Sequence, residues 1–269
     1  MSESYVHGYH PRENERLHDQ AGILSELLHS DTTYPAGSRV LEAGCGVGAQ
    51  TLTLARNSPG AQLICVDLSA DSIAEARRRV GEAGLANVEL RQADIRDLPF
   101  GPGSFDHVFV CFVLEHLAQP SEALVILRRL LRPGGTITVI EGDHGSAYFH
   151  PDSADAHAAI QCLVDIQRDA GGDALIGRRL YPLLVEAGFE GVRVSPRMVY
   201  ADASRPGVVE GFTRRTFTAM IEGVREPAVS GGRITAGRFD AGIRDLYRTA
   251  EEDGVFCYTF FKAVGERGT

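Results

Sequence analysis

Short apolar runs alternate with amphipathic stretches between residues 38 and 141 of the sequence. The apolar runs are rich in β-branched residues and predict five strands, at Arg39–Glu42, Gln62–Asp67, Val88–Arg91, Phe105–Cys111 and Thr136–Glu141. The stretches between them have helical spacing, and Ser69 is placed to cap one of these helices. This order of elements predicts a parallel, doubly wound sheet, which binds its ligands outside the carboxyl ends of the strands.

Helical spacing dominates after residue 153. It predicts helices at 156–168, 178–187, 207–226 and 236–253. Strand-like runs lie at 192–194, 198–200 and 256–263, and a loop is predicted at 227–232. The expected fold is therefore an α/β fold with a doubly wound, mostly parallel seven-stranded sheet. We expect an N-terminal helical lid segment over 1–36, an α/β domain over 37–200, a helical insertion over 201–252 and a final strand over 253–269.

The composition narrows the class of protein. A chain of 269 residues with 43% hydrophobic content can bury one large core. Its net charge of −9 and scattered basic residues argue against nucleic-acid binding. The start lacks the pattern of a signal peptide, and no apolar stretch is long enough for a membrane span, so we expect a cytoplasmic protein without membrane insertion. The five cysteines are far apart and odd in number, which predicts neither disulfides nor a metal site.

Three alternate glycines, Gly44, Gly46 and Gly48, directly follow the first predicted strand. Glycine there lets the backbone turn tightly and approach a ligand closely. The G-x-G-x-G spacing differs from the G-x-G-x-x-G pattern of pyrophosphate-binding loops. Glu42, just before the loop, would repel a pyrophosphate and suits a cationic or amino-bearing ligand.

Polar groups also follow the next strands. Asp67 ends the second strand, where a carboxylate can accept the hydroxyls of a ribose in either an NAD or an S-adenosylmethionine (SAM) site. Asp94 and Ile95 follow the third strand and can contact an adenine amino group and ring. The segment Cys111–His116 follows the fourth strand and should line the site from the other side.

Taken together, these motifs resemble those of class I SAM-dependent methyltransferases of the small-molecule type. The matching segments are Val40–Gly48, Val66–Ser69, Ala93–Ile95, Leu98–Phe100, Phe105–Asp106, Leu114–His116 and Leu131–Gly135. The resemblance implies a Rossmann-like methyltransferase fold with SAM as cofactor. It places the methionine portion on Gly44 and Gly46, the ribose on Asp67 and the adenine on Asp94 and Ile95. The full set of expected cofactor-binding residues is Glu42, Gly44, Cys45, Gly46, Asp67, Leu68, Asp94, Ile95 and Cys111.

Most candidate catalytic residues follow the fourth and fifth predicted strands. The run Glu141–Asp152 follows the fifth strand and is rich in titratable groups. His144, oriented by Asp143 or Glu141, can accept a proton if the acceptor must lose one; alternatively, Asp143 and His144 only make turn hydrogen bonds. Glu115 could orient the acceptor, as could His116. Tyr9 lies in an N-terminal segment similar to one that brings a tyrosine near the methyl group in many of these enzymes.

The expected function is methyl transfer to a small apolar or aromatic metabolite of secondary metabolism. The stretch from His144 to Pro151 resembles natural-product methyltransferases, including ones that methylate the indole C3 of tryptophan-derived cyclic dipeptides. A methyltransferase of a quinone, sterol or other lipid precursor is an alternative, as is a non-catalytic SAM-binding subunit. An NAD-dependent oxidoreductase is disfavoured by Glu42 and the glycine spacing. The expected partner is a small-molecule acceptor, and a homodimer is one expected state.

Overall fold

The computed structural model describes residues 24–269. The chain divides into two units, each assembled from segments that are separate in the sequence. The sheet unit contains Ser25–Glu141, Gly177–Pro196 and Phe261–Thr269, and the helical unit contains Leu24, Gly142–Ile176 and Arg197–Phe260. The expected insertion over 201–252 falls in the helical unit, and so do residues 142–176, which the sequence pattern assigned to the α/β domain.

The described strands are β1 (Arg39–Ala43), β2 (Gln62–Asp67), β3 (Val88–Gln92), β4 (Phe105–Cys111), β5 (Leu131–Gly142), β6 (Tyr148–His150), β7 (Glu190–Ala201) and β8 (Val255–Glu266). The described helices are α1 (24–29), α2 (Ala49–Asn57), α3 (Ala70–Glu82), α4 (Pro120–Leu130), α5 (Ala154–Asp169), α6 (Leu180–Glu186), α7 (Pro206–Val208), α8 (Ala219–Gly223), α9 (Arg225–Ser230) and α10 (Ala236–Arg248), with a π-helix at Val209–Thr218. Short 3₁₀ turns lie at Leu114–His116, His144–Ser146 and Ile176–Arg179. No helix within residues 24–269 is long and apolar enough to cross a bilayer.

The sheet unit has the predicted parallel core. Its strands are ordered β3-β2-β1-β4-β5, and each neighbouring pair is parallel. The central residue Leu41 is fully buried and lies opposite Ile64 on one side and Val108 on the other. The predicted cap is also present, because the Ser69 hydroxyl accepts the N–H of Ser72 at 3.1 Å. The expected doubly wound α/β fold is confirmed.

The number of strands differs from the expectation. Residues 24–269 contain eight strands where seven were expected. The additional strand, β6, is only three residues long and pairs antiparallel with β8, with Phe149 opposite Phe256. A run this short shows no alternation, so the sequence pattern could not reveal it. The two predicted runs at 192–194 and 198–200 are one continuous strand, β7, which pairs with β8.

The helical unit is held together by α5 and α10. The Ser153 hydroxyl caps α5 by accepting the N–H of Ala156 at 3.1 Å, and it donates to Asp245 of α10. The predicted loop at 227–232 is wrong for residues 227–230, which belong to α9. Helix is favoured there because Ala228 is fully buried and Arg225 pairs with Asp240 at 2.7 Å.

Aromatic side chains form the core of the helical unit. Part of the predicted helix over 207–226 is a π-helix, in which residues five apart share a face. Phe212 and Phe217 have this spacing and are both buried. They contact the buried rings that alternate along β8, which are Phe256, Tyr258 and, for Phe212, Phe260.

Candidate functional site

The glycine loop connects β1 to α2 in the sheet unit. Gly44, Gly46 and Gly48 have φ values of 80°, 51° and 78°, a conformation that strains any residue with a Cβ atom. A Cβ atom at Gly44 would overlap the side chain of Val113, in the loop after β4. A Cβ at Gly46 would meet no atom within 4 Å. The two glycines therefore serve different purposes: Gly44 allows close packing, and Gly46 borders open space.

Asp67 fixes this loop from the end of β2. Its Oδ2 atom accepts the N–H of Gly46 at 2.8 Å, and its Oδ1 atom accepts the N–H of Ser69 at 2.9 Å. Burial raises the pKa of Asp67, against the opposing effect of these backbone hydrogen bonds. Each carboxylate oxygen can accept a further hydrogen bond. The sequence pattern suggested a ribose ligand for Asp67 but not its bond to the glycine loop.

Glu42 is buried at the end of β1, below the loop. The Thr51 hydroxyl of α2 donates to its Oε2 atom at 2.6 Å. Burial raises the pKa of Glu42 to about 7, although the hydrogen bond from Thr51 acts in the opposite direction. Glu42 therefore also ties β1 to α2, a structural role that the sequence pattern did not indicate because Thr51 lies in the next helix.

Asp94 and its neighbours lie beyond β3. Asp94 accepts hydrogen bonds from the backbone N–H of Arg96 at 2.9 Å and from its guanidinium at 2.8 Å. The hydrogen bond from the Arg96 side chain lowers the pKa of Asp94. Ile95 is half-buried, and the side chain of Leu68 at the end of β2 is 55% exposed. The sequence pattern missed Arg96, which competes for the carboxylate assigned to adenine.

The two cysteines assigned to the cofactor site, Cys45 and Cys111, are buried. Burial raises the pKa of both thiols, and nearby carboxylates add to the effect. Both therefore remain neutral and act as small apolar walls rather than nucleophiles.

Glu141 supports the loop that follows β4. Its side chain is fully buried, and Oε1 accepts the N–H groups of Val113 and Leu114 at 3.0 and 2.7 Å. Burial, followed by the nearby charge of Glu115, raises its pKa well above the usual range. In this loop Phe112 has a φ of 57°, the only non-glycine residue of 24–269 with a positive value. Glu115 is buried beside His116, with 3.6 Å between Oε1 and Nε2.

His144 lies in the helical unit, directly after β5. It begins a 3₁₀ turn whose preceding residue, Asp143, accepts the N–H of Gly145 at 3.0 Å. The ring is buried, and its Nδ1 atom lies 2.9 Å from the Tyr258 hydroxyl. The Phe217 ring is 6.3 Å away between centroids. The group on Nδ1 is thus a tyrosine, whereas the sequence suggested Asp143 or Glu141 as the orienting carboxylate.

Tyr258 is the main residue that the sequence analysis missed. It lies 114 residues after His144, so no local motif joins the two. The one signal is the alternation of Phe256, Tyr258 and Phe260, which predicts that all three share the buried face of a strand. The remaining candidate, Tyr9, lies outside the described residues.

Part of the sequence matches a known family. Residues 41–139 match the sequence model of the family described as methyltransferase domain. This range contains the glycine loop, Asp67, Asp94 and Glu115. Residues 41–139 therefore belong to a class I SAM-dependent methyltransferase domain. The resemblance inferred from the motifs is therefore confirmed, and the match favours SAM over NAD as the cofactor of this domain.

Individual relatives match different shares of the chain. An uncharacterized 37.1 kDa protein in transposon TN4556 of Streptomyces fradiae is 36% identical over 215 residues, which cover 77% of this chain and 60% of that protein. A demethylmenaquinone methyltransferase of Clavibacter sepedonicus is 39% identical over 106 residues, which cover 39% of this chain and 42% of the relative. The chain therefore spans less than two thirds of the length of either relative.

A solved structure shows the same fold. The phosphoethanolamine N-methyltransferase 2 of Haemonchus contortus, in complex with S-adenosyl-L-methionine, has a TM-score of 0.57 at 17% identity. The match covers 93% of this chain and 53% of that one. At this level of identity the likeness concerns the fold alone.

Proposed function

We propose that this chain transfers a methyl group from SAM to a small acceptor that loses a proton, with His144 as general base. The observation that carries the proposal is the placement of His144: a buried imidazole just after β5, hydrogen-bonded through Nδ1 to Tyr258 and next to the ring of Phe217. Catalytic groups of doubly wound sheets lie beyond the carboxyl ends of the strands. Imidazole is the side chain best suited to accept a proton near neutral pH.

The sheet unit fits the cofactor. Bound SAM supplies an electrophilic methyl group on a positively charged sulfur. Gly46 borders open space that its missing side chain leaves free for the methionine portion. Asp67 retains lone pairs for the ribose hydroxyls, and the exposed side chain of Leu68 offers an apolar surface for the adenine. Asp94 and Ile95 complete the adenine site in this proposal.

The acceptor is a small apolar or aromatic metabolite in this proposal. Aromatic rings around His144 favour such a molecule over a strongly polar one. The indole C3 of a tryptophan-derived cyclic dipeptide is one candidate, on the resemblance of residues 144–151. A quinone or other lipid precursor is the alternative, and the demethylmenaquinone methyltransferase of Clavibacter sepedonicus, as a relative, supports it. Glu115, buried near the end of β4, orients the acceptor, and Asp143 holds the turn that carries His144.

An acceptor screen tests the activity. The purified chain is incubated with SAM and with three acceptor classes: indole cyclic dipeptides, demethylated quinones and simple phenols. We expect S-adenosylhomocysteine and a singly methylated product from one class, detected by mass spectrometry. Binding of SAM without turnover of any acceptor would instead support the non-catalytic subunit.

A histidine substitution tests the base. We expect His144→Gln to lower kcat by about 100-fold, because a general base contributes at least this factor, with the affinity for SAM unchanged. The matched control is His157→Gln, which removes a half-exposed histidine of α5 that pairs with Asp152. If His144→Gln retains the kcat of the control, the acceptor does not depend on this base.

A further inference from the structure

The hydrogen bond between His144 and Tyr258 joins two segments of the helical unit. The Nδ1 and Oη atoms are 2.9 Å apart, and both side chains are almost completely buried, with 6% and 2% exposure. One segment is the 3₁₀ turn after β5, and the other is the first half of β8. The backbone N–H of His144 also donates to the carbonyl of Ala174 at 2.9 Å, so the main chain that carries the ring is held in place.

Gly142 makes room for this hydrogen bond. A Cβ atom at this position would overlap the Tyr258 hydroxyl, while the ring carbon Cζ would be at 3.4 Å and Phe260 at 3.7 Å, which are ordinary contacts. Gly142 is not among the glycines with positive φ, so its backbone would accept alanine without strain. The hydroxyl of Tyr258 is therefore the feature that requires glycine at position 142.

We propose that Tyr258 is a positioning residue: its hydroxyl oxygen accepts a hydrogen bond from Nδ1–H of His144, which leaves the lone pair of His144 on Nε2. This proposal rests on the proposed function of His144 as a base. In a neutral imidazole one nitrogen carries hydrogen and the other accepts it, so a partner on Nδ1 decides the role of Nε2. Gly142 contributes to this hydrogen bond because it leaves space for the Tyr258 hydroxyl.

This tautomer lets the base work without rearrangement. The proton of the acceptor moves to Nε2, and its electron pair remains on the acceptor to form the bond to the methyl carbon. The electron pair of the broken sulfur–carbon bond stays on the sulfur. Nδ1–H donates to Tyr258 before and after this transfer. In the opposite tautomer Nε2 carries the hydrogen and has no lone pair for the proton of the acceptor, and the lone pair on Nδ1 faces the Tyr258 hydroxyl.

Nuclear magnetic resonance of the full chain labelled with ¹⁵N-histidine tests the tautomer directly. The sequence has nine histidines, and the signal absent from His144→Gln identifies His144. We expect the Nδ1–H form of the neutral ring in the wild type, and a mixture of tautomers in Tyr258→Phe. The control Tyr247→Phe removes a hydroxyl that contacts Glu222 at 3.3 Å and should leave the signal unchanged. An Nε2–H form in the wild type would overturn the proposal.

Kinetics separates the failure of this proposal from that of the proposed function. We expect Tyr258→Phe to lower kcat about tenfold while the KM for SAM stays the same, the scale of losing a partner that orients a functional histidine. A normal kcat in Tyr258→Phe, together with a strong loss in His144→Gln, would refute the positioning role but keep the base. A normal kcat in His144→Gln would refute the base, and with it the positioning role.

Gly142→Ala supplies an independent check through stability. The added methyl group should lower the melting temperature and displace the Tyr258 hydroxyl from His144. Adding Tyr258→Phe removes the overlapping atom, so the double variant should be more stable than Gly142→Ala alone, yet remain as slow as Tyr258→Phe. Additive losses of stability in the double variant would contradict the assigned contact between Gly142 and the hydroxyl.

Discussion

Substituting single glycines with alanine separates the two roles of the glycine loop. Gly46 in the loop and Gly37 outside it both have positive φ, at 51° and 83°, and a Cβ at either would meet no atom within 4 Å. Alanine in this conformation costs roughly 1–2 kcal/mol. Gly44 has the same kind of backbone, with φ of 80°, but its Cβ would also overlap Val113. Overpacking of this kind adds roughly 1–3 kcal/mol.

The assays are urea denaturation and calorimetric titration with SAM. We expect Gly37→Ala and Gly46→Ala to lose a similar free energy of unfolding, about 1–2 kcal/mol, and Gly44→Ala to lose about 2–5 kcal/mol. Gly37→Ala and Gly46→Ala introduce the same kind of backbone strain, but only Gly46→Ala should weaken SAM binding, by about tenfold or more. The reason is that its methyl group enters the space assigned to the cofactor.

Two results would refute this reasoning. Equal SAM affinity in Gly37→Ala and Gly46→Ala would show that the open space at Gly46 does not receive the cofactor. A loss of stability in Gly44→Ala no larger than in Gly37→Ala would show that the packing against Val113 is not what requires glycine at position 44.

Three further predictions concern single side chains. Asp67→Asn should weaken SAM binding by about 1–3 kcal/mol, because hydrogen bonds to a charged group are lost, whereas Asp71→Asn, on the exposed start of α3, should bind SAM normally in the same titration. Burial raises the pKa of Glu42 from 4.5 to about 7, so the free energy of unfolding should fall as pH rises through this interval, with a contribution from Glu42 on the order of 3 kcal/mol. Asp67 and Glu141, whose pKa values burial also raises, should keep their part of the fall in Glu42→Gln, so urea denaturation of this variant should show a smaller fall than the wild type, and an equal fall would exclude a contribution from Glu42. In the helical unit, Gly242→Ala should lower the melting temperature clearly, since its Cβ would overlap the carbonyl of Asp155, and an unchanged melting temperature would contradict the packing of α10 on α5.

The parallel strands and their caps could be predicted because the information is local. The run Phe105–Cys111 is apolar almost throughout, as expected for a strand buried on both faces, and the structure places β4 there. Ser69 precedes an amphipathic stretch and caps it. The glycine loop and the acidic residues at or after the strand ends are also local features, and the resemblance to methyltransferase motifs then assigned them to SAM.

The rest depends on contacts between distant parts of the sequence. The strand β6 forms only because it pairs with β8, and nothing in its three residues predicts it. The π-helix replaces part of a predicted α-helix, because a helical pattern does not distinguish a period of 3.6 from a slightly longer one. The hydrogen bonds from Arg96 to Asp94 and from Thr51 to Glu42 join polar side chains. A sequence pattern does not indicate which partner a polar side chain will have.

The most direct test of the central claim is a calorimetric titration of the wild-type chain with SAM and, separately, with NAD. The proposal predicts saturable binding of one SAM per chain, competition by S-adenosylhomocysteine, and no heat of binding with NAD. Binding of NAD without binding of SAM would contradict it.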